Sequence, residues 1–312
     1  MRILLNTNKW ICRAPSNIAL IKYMGKLRGN IPCNSSLSYT LDRLATEVAL
    51  EPCSKYNRFI TELDKSAAKR FLKHLKNIKK HFGYKGFFQI ESSNNFPKSA
   101  GIASSASSFA ALTKCAVTAI CEINSLPSLS LEEMSRLSRK GSGSSCRSFF
   151  SPWSLWKKYE AKEISLKIGS LDHDLALVNS CAKTVSSNQA HRLVKSSLLF
   201  KGRAQRAEKR LQNLIDCFNT DRWSSAYQIC HEEFWDMHVL FETSSPCFGY
   251  IHPETIMILE EVRKFWRKNN DGPIVTIDAG PNVHFLWRKN QKELRKQLKE
   301  DIVIQNIVNC FL

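Results

Sequence analysis

The stretch "NNFPKSAGIASSASSFAAL" (residues 94–112) places a proline, a glycine and a run of serines directly before an apolar, alanine-rich segment. The apolar segment predicts a helix over residues 103–123, so the serines stand at its beginning. A helix N-terminus has unpaired backbone N–H groups and a positive dipole end, and small residues there let a phosphate approach closely. Lys98 precedes the glycine and no G-K-[ST] follows, so this is not a Walker loop. Taken alone, the stretch fits a phosphate site and an ordinary serine cap equally well.

The segments around this stretch alternate between β-forming and helical patterns, which predicts a mixed α+β protein. Ser130 and Glu133 form a capping-box pattern for a helix that ends at Gly141, and Pro253 suits the first turn of another helix. The order of the elements favours a domain boundary near residue 170. The predicted strands cover residues 46–52 and 86–92 and a strand-turn-strand unit at 273–287; the other predicted helices cover 64–83, 191–217, 221–241 and 253–269.

Length and composition indicate a globular protein. The chain has 312 residues, of which 43% are hydrophobic, enough for one large domain or two ordinary ones. No apolar run is expected to be long enough to cross a bilayer, so no membrane partner is predicted. The 11 cysteines contain no C-x-x-C pair and are interpreted as reduced thiols, which favours a cytoplasmic location.

The net charge of +18 raises nucleic acid as a possible partner. However, lysine and arginine are spread over helical segments, and no recognition motif or regular aromatic pattern accompanies them. Solvated helix faces explain this distribution best, followed by attraction of small polyanions. No specific nucleic-acid binding is therefore predicted.

Two further segments carry basic residues in unusual surroundings. In "RKGSGSSCRSFF" (139–150), glycines and serines surround Arg147, whose guanidinium can bind a carboxylate or phosphate through two parallel hydrogen bonds. In "APSNIALIKYMGK" (14–26), Lys22 and Lys26 follow a short apolar strand, and both also fit ordinary surface charges.

A fourth segment, "TIDAGPN" (276–282), places an aspartate at the end of a β-branched run. Asp278 there fits either a simple Asx-turn or a carboxylate that faces a pocket.

In combination, these segments resemble the diphosphomevalonate decarboxylases of the GHMP kinase superfamily. The resemblance extends over nearly the whole chain and includes "NSSLSYTL" and "VSSNQ" in the family's order. It implies a two-domain α+β GHMP kinase fold with the active site in the cleft between the domains. Residues 1–170 would form a ribosomal protein S5 domain 2-like domain with the ATP-phosphate loop, and residues 171–312 a ferredoxin-like domain with the catalytic aspartate.

The resemblance also implies a reaction. Mevalonate 5-diphosphate would be phosphorylated by ATP, with Mg²⁺, on its tertiary hydroxyl, and would then lose phosphate and carbon dioxide to give isopentenyl diphosphate. The expected protein is a cytoplasmic homodimer of the mevalonate pathway.

Site residues follow from the same resemblance. Asp278, Lys22 and Arg147 would be catalytic: Asp278 orients the hydroxyl, Lys22 keeps that carboxylate ionised, and Arg147 holds the substrate carboxylate. Substrate binding is expected from Tyr23, Met24, Gly25, Lys26, Ser142, Gly143, Ser144, Ser145, Cys146, Ser186 and Ser187. Nucleotide binding is expected from Asn17, Pro97, Gly101, Ala103, Ser104, Ser105 and Ser107. The metal ligands are not predicted.

The chain departs from the family pattern at several positions. Met24 replaces a tryptophan, Ile277 an aromatic residue and Asn188 a threonine, and "FFSPWSLW" (149–156) replaces a glycine-rich stretch. Two alternatives therefore stay open. The first is an enzyme acting on mevalonate 5-phosphate or mevalonate, as a decarboxylase or a 3-kinase; the second is a non-enzymatic basic binding protein on the same fold.

Overall fold

The computed structural model describes residues 9–61, 64–96, 104–178, 184–304 and 311. Its first half is built on a six-stranded sheet. The strands are β1 (Trp10–Ile21), β2 (Ser36–Cys53), β3 (Arg58–Phe59), β4 (Phe87–Asn94), β5 (Trp153–Lys157) and β6 (Glu160–Glu163). The strand order is β3-β4-β2-β5-β6, and β1 pairs with β2. All pairings are antiparallel except the short one between β3 and β4.

Three helices accompany this sheet: α1 (Lys65–His81), α2 (Ser104–Ile123) and α3 (Leu131–Gly141). The helix predictions for these regions are confirmed. The capping box before α3 is also confirmed, because the Ser130 hydroxyl accepts from the Glu133 amide at 3.2 Å and Glu133 Oε2 accepts from the Ser130 amide at 2.8 Å. α2 packs on β1 and β2 and contacts both other helices, so it lies at the centre of this half.

The apolar composition of α2 corrects the expectation about membrane-spanning segments. Its segment Ser105–Ile123 is long and apolar enough to cross a membrane, contrary to the expectation that no segment would be. However, 72% of this segment is buried inside the protein. Alanines and small polar residues let α2 pack closely against the sheet, and the core helix of a globular domain passes the same test.

The second half contains a three-stranded antiparallel sheet in the order β7-β9-β8. Its strands are β7 (Asp172–Ala176), β8 (Ile274–Ile277) and β9 (Val283–Trp287), and its helices are α4 (Ser187–Leu193), α5 (Arg203–Asn219), α6 (Trp223–Glu242), α7 (Pro253–Asn269) and α8 (Lys292–Ile304). The strand-turn-strand prediction is confirmed by β8 and β9. The predicted helices near 221–241 and 253–269 are confirmed by α6 and α7, and Pro253 is the first residue of α7.

The prediction of one continuous helix over residues 191–217 is wrong. α4 ends at Leu193, and two short 3₁₀ turns follow before α5 begins at Arg203. Gly202 precedes α5 with a φ of +80°, a left-handed conformation that glycine adopts without steric cost. The Ser197 hydroxyl accepts from the Leu199 amide and stabilises the second turn instead of a continuing helix.

One apolar core joins the two halves. Ile18 and Leu20 of β1 belong to the same buried cluster as Leu211 and Leu214 of α5 and Trp223 of α6. β1 also contacts α6 directly. The end of β1 is therefore held beside the second half of the chain. The division at residue 170 lies in the loop between β6 and β7 and stays a prediction.

Candidate active site

The two halves bring one lysine and one aspartate into direct contact. Lys22 follows the last residue of β1, and Asp278 follows the last residue of β8. Lys22 Nζ donates a hydrogen bond to Asp278 Oδ1 at 2.6 Å. The lysine side chain is 1% exposed, whereas the aspartate side chain is 25% exposed and remains open to a ligand. An ion pair across the two sheets thus lies at an accessible carboxylate.

The protonation states of this pair follow from its surroundings. Burial opposes ionisation of Asp278, but the charge and hydrogen bond of Lys22, with smaller effects from His284 and Arg147, outweigh it and lower the pKa of Asp278. Burial lowers the pKa of Lys22, and Asp278 acts in the opposite direction. Asp278 is therefore a carboxylate at neutral pH and is available to accept a hydrogen bond or a proton.

Arg147 is held in a fixed orientation near this pair. It lies in a 3₁₀ turn, Gly143–Phe149, and is 4% exposed. Its Nε donates to Asn17 Oδ1 at 3.1 Å and its Nη1 to Ser36 Oγ at 2.9 Å. Asn17 also donates to Ser148 Oγ at 2.8 Å, so its amide supports Arg147, and its expected nucleotide contact stays a prediction.

The residues before Arg147 form a loop held by its own side chains. Ser145 Oγ donates to the Ser142 carbonyl at 2.7 Å, and Cys146 Sγ donates to the Gly143 carbonyl at 3.1 Å. A Cβ atom at position 143 would come within 2.8 Å of the Tyr23 hydroxyl, so glycine is needed there. The side chains of Ser145 and Cys146 are buried in the loop, whereas Ser144 is partly exposed.

Residues 23–26 lie against this loop, with the Tyr23 hydroxyl next to Gly143. The Tyr23 ring lies between Trp156 and His191, with ring centroids 4.6 and 4.4 Å away, and within the described part of the chain its buried hydroxyl has no hydrogen-bond partner. Gly25 has a φ of +89°, and its amide donates to His191 Nδ1 at 3.1 Å. An unpartnered hydroxyl in this position fits a group that bonds to a ligand.

Lys26, the last residue of this segment, connects it to α4. Its Nζ donates to Asn188 Oδ1 at 2.8 Å. Burial, with a contribution from the charge of Arg70, lowers the pKa of Lys26 to about 8. Asn188 belongs to α4, and the exposed Ser186 and Ser187 lie at the beginning of the same helix. The Ser186 hydroxyl accepts from the Gln189 amide as the helix cap.

The predicted nucleotide loop is described only in part. Pro97, Gly101 and Ala103 lie outside the described residues. α2 begins at Ser104, and no acidic residue lies in its first turn. Ser105 is partly exposed, whereas Ser107 is buried and shares a hydrogen bond with Thr46 Oγ1 at 2.7 Å.

Comparisons with known proteins agree with this arrangement. Residues 14–167 match the family model of the diphosphomevalonate decarboxylase-like N-terminal domain, and residues 175–311 match that of the mevalonate 5-diphosphate decarboxylase C-terminal domain. The chain belongs to the diphosphomevalonate decarboxylase family. The diphosphomevalonate decarboxylase of Saccharomyces cerevisiae is 30% identical, with 90% of this chain and 78% of the relative covered.

Solved structures of this family share the fold. A mevalonate diphosphate decarboxylase from Legionella pneumophila is 46% identical, with a TM-score of 0.92 over 98% of this chain and 100% of that one. A second solved structure is MDDEF in complex with MVAPP, AMPPCP and magnesium. That protein is 31% identical to this chain, with a TM-score of 0.85 over 95% of this chain and 93% of that one. The predicted family and the predicted two-domain GHMP kinase fold are confirmed.

Sequence reasoning missed several residues that shape this decarboxylase-family site. His191 and Trp156 enclose Tyr23, and Glu233 accepts a hydrogen bond from the Lys22 amide at 2.9 Å. Glu233 could have been noticed, because it occupies the buried face of α6 together with Cys230 and Met237. His191 and Trp156 had no comparable local pattern, since both depend on contacts with the distant Tyr23.

Proposed function

We propose that this chain catalyses the ATP-dependent decarboxylation of mevalonate 5-diphosphate to isopentenyl diphosphate, with release of ADP, phosphate and carbon dioxide. The proposal rests chiefly on the contact of 2.6 Å between buried Lys22 and the partly exposed carboxylate of Asp278. Membership of the diphosphomevalonate decarboxylase family supports the same reaction.

Asp278 and Lys22 serve the first step. Asp278 accepts a hydrogen bond from the tertiary hydroxyl and takes its proton as the hydroxyl oxygen bonds to the γ-phosphorus of ATP, while the bond from that phosphorus to the β-phosphate oxygen breaks and ADP leaves. Lys22 keeps Asp278 ionised before the transfer and stabilises the negative charge that develops during it. The ion pair therefore provides both the base and the neighbouring positive charge.

Arg147 serves the second step. Arg147 uses its Nε–H for Asn17 and one N–H of Nη1 for Ser36, whereas its Nη2 has no hydrogen bond to the described residues. The second N–H of Nη1 and an N–H of Nη2 can therefore still offer two parallel donors. The guanidinium binds the substrate carboxylate and sets the angle of the bond that breaks. The phosphate then leaves with the electrons of the carbon–oxygen bond, and the electrons of the carbon–carboxylate bond form the double bond as carbon dioxide departs.

The described residues fit ATP and Mg²⁺ as cofactors. ATP supplies the phosphoryl group, and the N-terminus of α2 offers backbone N–H groups for its phosphates, with no acidic residue in the first turn. Within the described ranges, no group of three or more metal-binding side chains is found. This fits Mg²⁺ bound largely by phosphate oxygens and water, as is usual for this ion. MDDEF was solved with MVAPP, AMPPCP and magnesium together.

We assign the diphosphate end of the substrate to the surface formed by residues 23–26 and the loop at residues 142–145. Lys26 supplies positive charge, and the hydroxyls of Tyr23, Ser142 and Ser144 supply hydrogen-bond donors. Ser186 and Ser187 lie beyond Lys26 at the beginning of α4. A cytoplasmic homodimer is part of the same proposal, and sedimentation of the purified protein tests the dimer.

A coupled ATPase assay with three substrates tests the function. Mevalonate, its 5-phosphate and its 5-diphosphate are compared at equal concentration with Mg²⁺. The 5-diphosphate should be consumed with release of carbon dioxide. The 5-phosphate should be a much poorer substrate, because it lacks the second phosphate group that would bond to Lys26 and the neighbouring hydroxyls. Equal turnover of these two substrates would favour an enzyme for the monophosphate.

A further inference from the structure

A buried ion pair contacts the main chain of Lys22 on both sides. Arg203 is the first residue of α5 and Glu233 lies in the middle of α6; their side chains are 1% and 0% exposed. Glu233 Oε1 accepts from the Lys22 amide at 2.9 Å, and Arg203 Nη2 donates to the Lys22 carbonyl at 3.3 Å. The two side chains are joined by hydrogen bonds of 2.5 and 3.1 Å.

The sheet explains why these contacts are needed. The last residue of β1 in register with β2 is Ile21, which lies opposite Leu37. Lys22 is one residue further on and is buried, so its N–H and C=O need partners other than the strand ladder. Glu233 provides the acceptor, and Arg203, together with Asn34 Nδ2 at 2.9 Å, provides the donors.

Stability alone is a poor reason for this pair. Two buried charges lose their hydration, and apolar side chains of similar volume are often as stable or more stable in such a place. Glu233 also accepts from Arg210 Nη1 at 3.1 Å, and Arg203 Nη1 donates to Asp236 Oδ2 at 3.4 Å. Both members of the pair nevertheless bond to the backbone of Lys22, one to its N–H and one to its C=O, and this arrangement is suited to fixing the position of that residue. The direction of the Lys22 side chain toward Asp278 depends on this backbone.

We propose that Arg203 and Glu233 are positioning residues that hold the backbone of Lys22 so that its ammonium group stays on Asp278. This inference deepens the proposed function and rests on the roles given there to Lys22 and Asp278. Neither positioning residue needs to contact the substrate.

The same cluster offers a matched control. Arg206 and Asp236 lie on the same two helices and are joined by bonds of 2.7 and 3.0 Å. Neither has a hydrogen bond to Lys22 within the described part of the chain. Asp236 also accepts from Arg203 Nη1 at 3.4 Å, so the control changes Arg206 alone. This variant alters the charge and packing between α5 and α6 and leaves the hydrogen-bond partners of Lys22, Arg203 and Glu233 in place.

The experiment compares two variants: the double variant Arg203→Met with Glu233→Met, and the single control variant Arg206→Met. The first should fold, because an apolar replacement of a buried ion pair is often tolerated. Its kcat should fall about 10- to 100-fold with little change in KM, since a displacement of about 1 Å at a reacting group can cost that much. The acidic limb of its kcat profile should move to higher pH by up to about one unit as Asp278 loses part of its interaction with Lys22.

The control variant should keep the kcat and the pH profile of the wild-type protein, even if the melting temperature of the variant is lower. A folded Arg203/Glu233 double variant with unchanged kcat and pH profile would overturn the proposal. If that variant does not fold, Glu233→Gln replaces it. This change keeps the shape and weakens the acceptor, so a smaller fall with the same shift of the acidic limb is expected, and no shift counts against the proposal.

A crystal structure of the folded variant gives a readout that does not depend on turnover. Lys22 Nζ should leave its contact with Asp278, and an unchanged contact would reject the positioning role. If the unchanged protein releases no carbon dioxide from mevalonate 5-diphosphate, the proposed function fails, while this structural comparison still decides the positioning role.

Discussion

Replacing Asp278 by asparagine removes the negative charge that faces Lys22 while keeping the shape of the side chain. The variant loses the proton acceptor, which is typically worth about 10²- to 10⁴-fold in rate. It also leaves Lys22, whose side chain is 1% exposed, without a negatively charged partner. Burial then favours the neutral lysine, so the positive charge beside the transferred phosphoryl group is weakened as well. We expect kcat to fall by about 10³-fold or more, with much smaller changes in the affinity for substrate and ATP.

The same substitution should lower the free energy of unfolding by a limited amount. An unpaired buried lysine can lose its proton, which costs about 5 kcal/mol at neutral pH because the ordinary lysine pKa lies about 3.4 units higher. The free energy of unfolding should therefore fall by no more than about that amount. Adding Lys22→Met to Asp278→Asn removes the buried charge, so it should restore most of the stability and none of the turnover.

The assay combines steady-state carbon dioxide release, nucleotide binding by calorimetry and urea unfolding for both variants. Near-normal turnover of Asp278→Asn would refute the proposed mechanism even though the fold is unchanged. Loss of ATP binding with intact folding would instead make Asp278 a structural turn residue. Failure of the double variant to recover stability would show that Lys22 is not the buried charge that asparagine leaves unpaired.

Three further predictions concern the anion-binding groups and a buried histidine. Arg147→Lys should raise KM and lower kcat together, because lysine cannot bind a carboxylate at two points; steady-state kinetics measure both. Lys26, with a pKa of about 8, is charged below that pH, so KM for the 5-diphosphate should rise as the pH increases from 7 to 9, and Lys26→Arg should abolish this rise. His74 donates from Nε2 to Thr113 Oγ1, whose own proton goes to a backbone carbonyl, and burial lowers its pKa to about 4. In the unfolded state His74 takes up a proton below pH 6.5, whereas in the folded state it stays neutral down to about pH 4. The free energy of unfolding should therefore fall between pH 6.5 and 4, by about 2 kcal/mol at pH 5. Urea unfolding of His74→Gln should show a smaller fall in the free energy of unfolding over this pH range than the wild-type protein shows.

Each of these expectations can fail in a distinct way. A fall in kcat alone for Arg147→Lys would mean that the guanidinium does not bind the substrate in its ground state. A KM that rises equally in Lys26→Arg would assign the pH dependence to another group. An unchanged pH dependence of unfolding in His74→Gln would mean that this histidine does not contribute to acid destabilisation.

Local patterns in the sequence predicted much of this structure. The Ser130 capping box, Pro253 at the beginning of α7 and the turn between β8 and β9 each depend on residues close together in the chain, and all three are confirmed. The same turn places Asp278 at the end of β8. The family motifs likewise identified both members of the Lys22–Asp278 pair before any distance was known.

Features that depend on distant contacts were not predictable in this way. The helix break before Gly202 is a different case, because its causes, the Ser197 hydroxyl and the left-handed Gly202, are local and were missed. The contacts of Glu233 and Arg203 with Lys22 join residues that are about two hundred positions apart in the chain. The pKa of Lys26 depends on burial and on the charge of Arg70, neither of which the sequence alone specifies.

The stoichiometry of the reaction tests the central claim most directly. Mevalonate 5-diphosphate labelled in its carboxyl carbon is incubated with the unchanged protein, ATP and Mg²⁺, and carbon dioxide, phosphate and ADP are measured together. The Lys22–Asp278 pair and Arg147 predict equal amounts of the three products, because phosphorylation of the hydroxyl leads on to loss of phosphate and of the carboxylate. ADP formed without carbon dioxide would show a kinase that stops at the phosphorylated intermediate and would contradict the proposed decarboxylation.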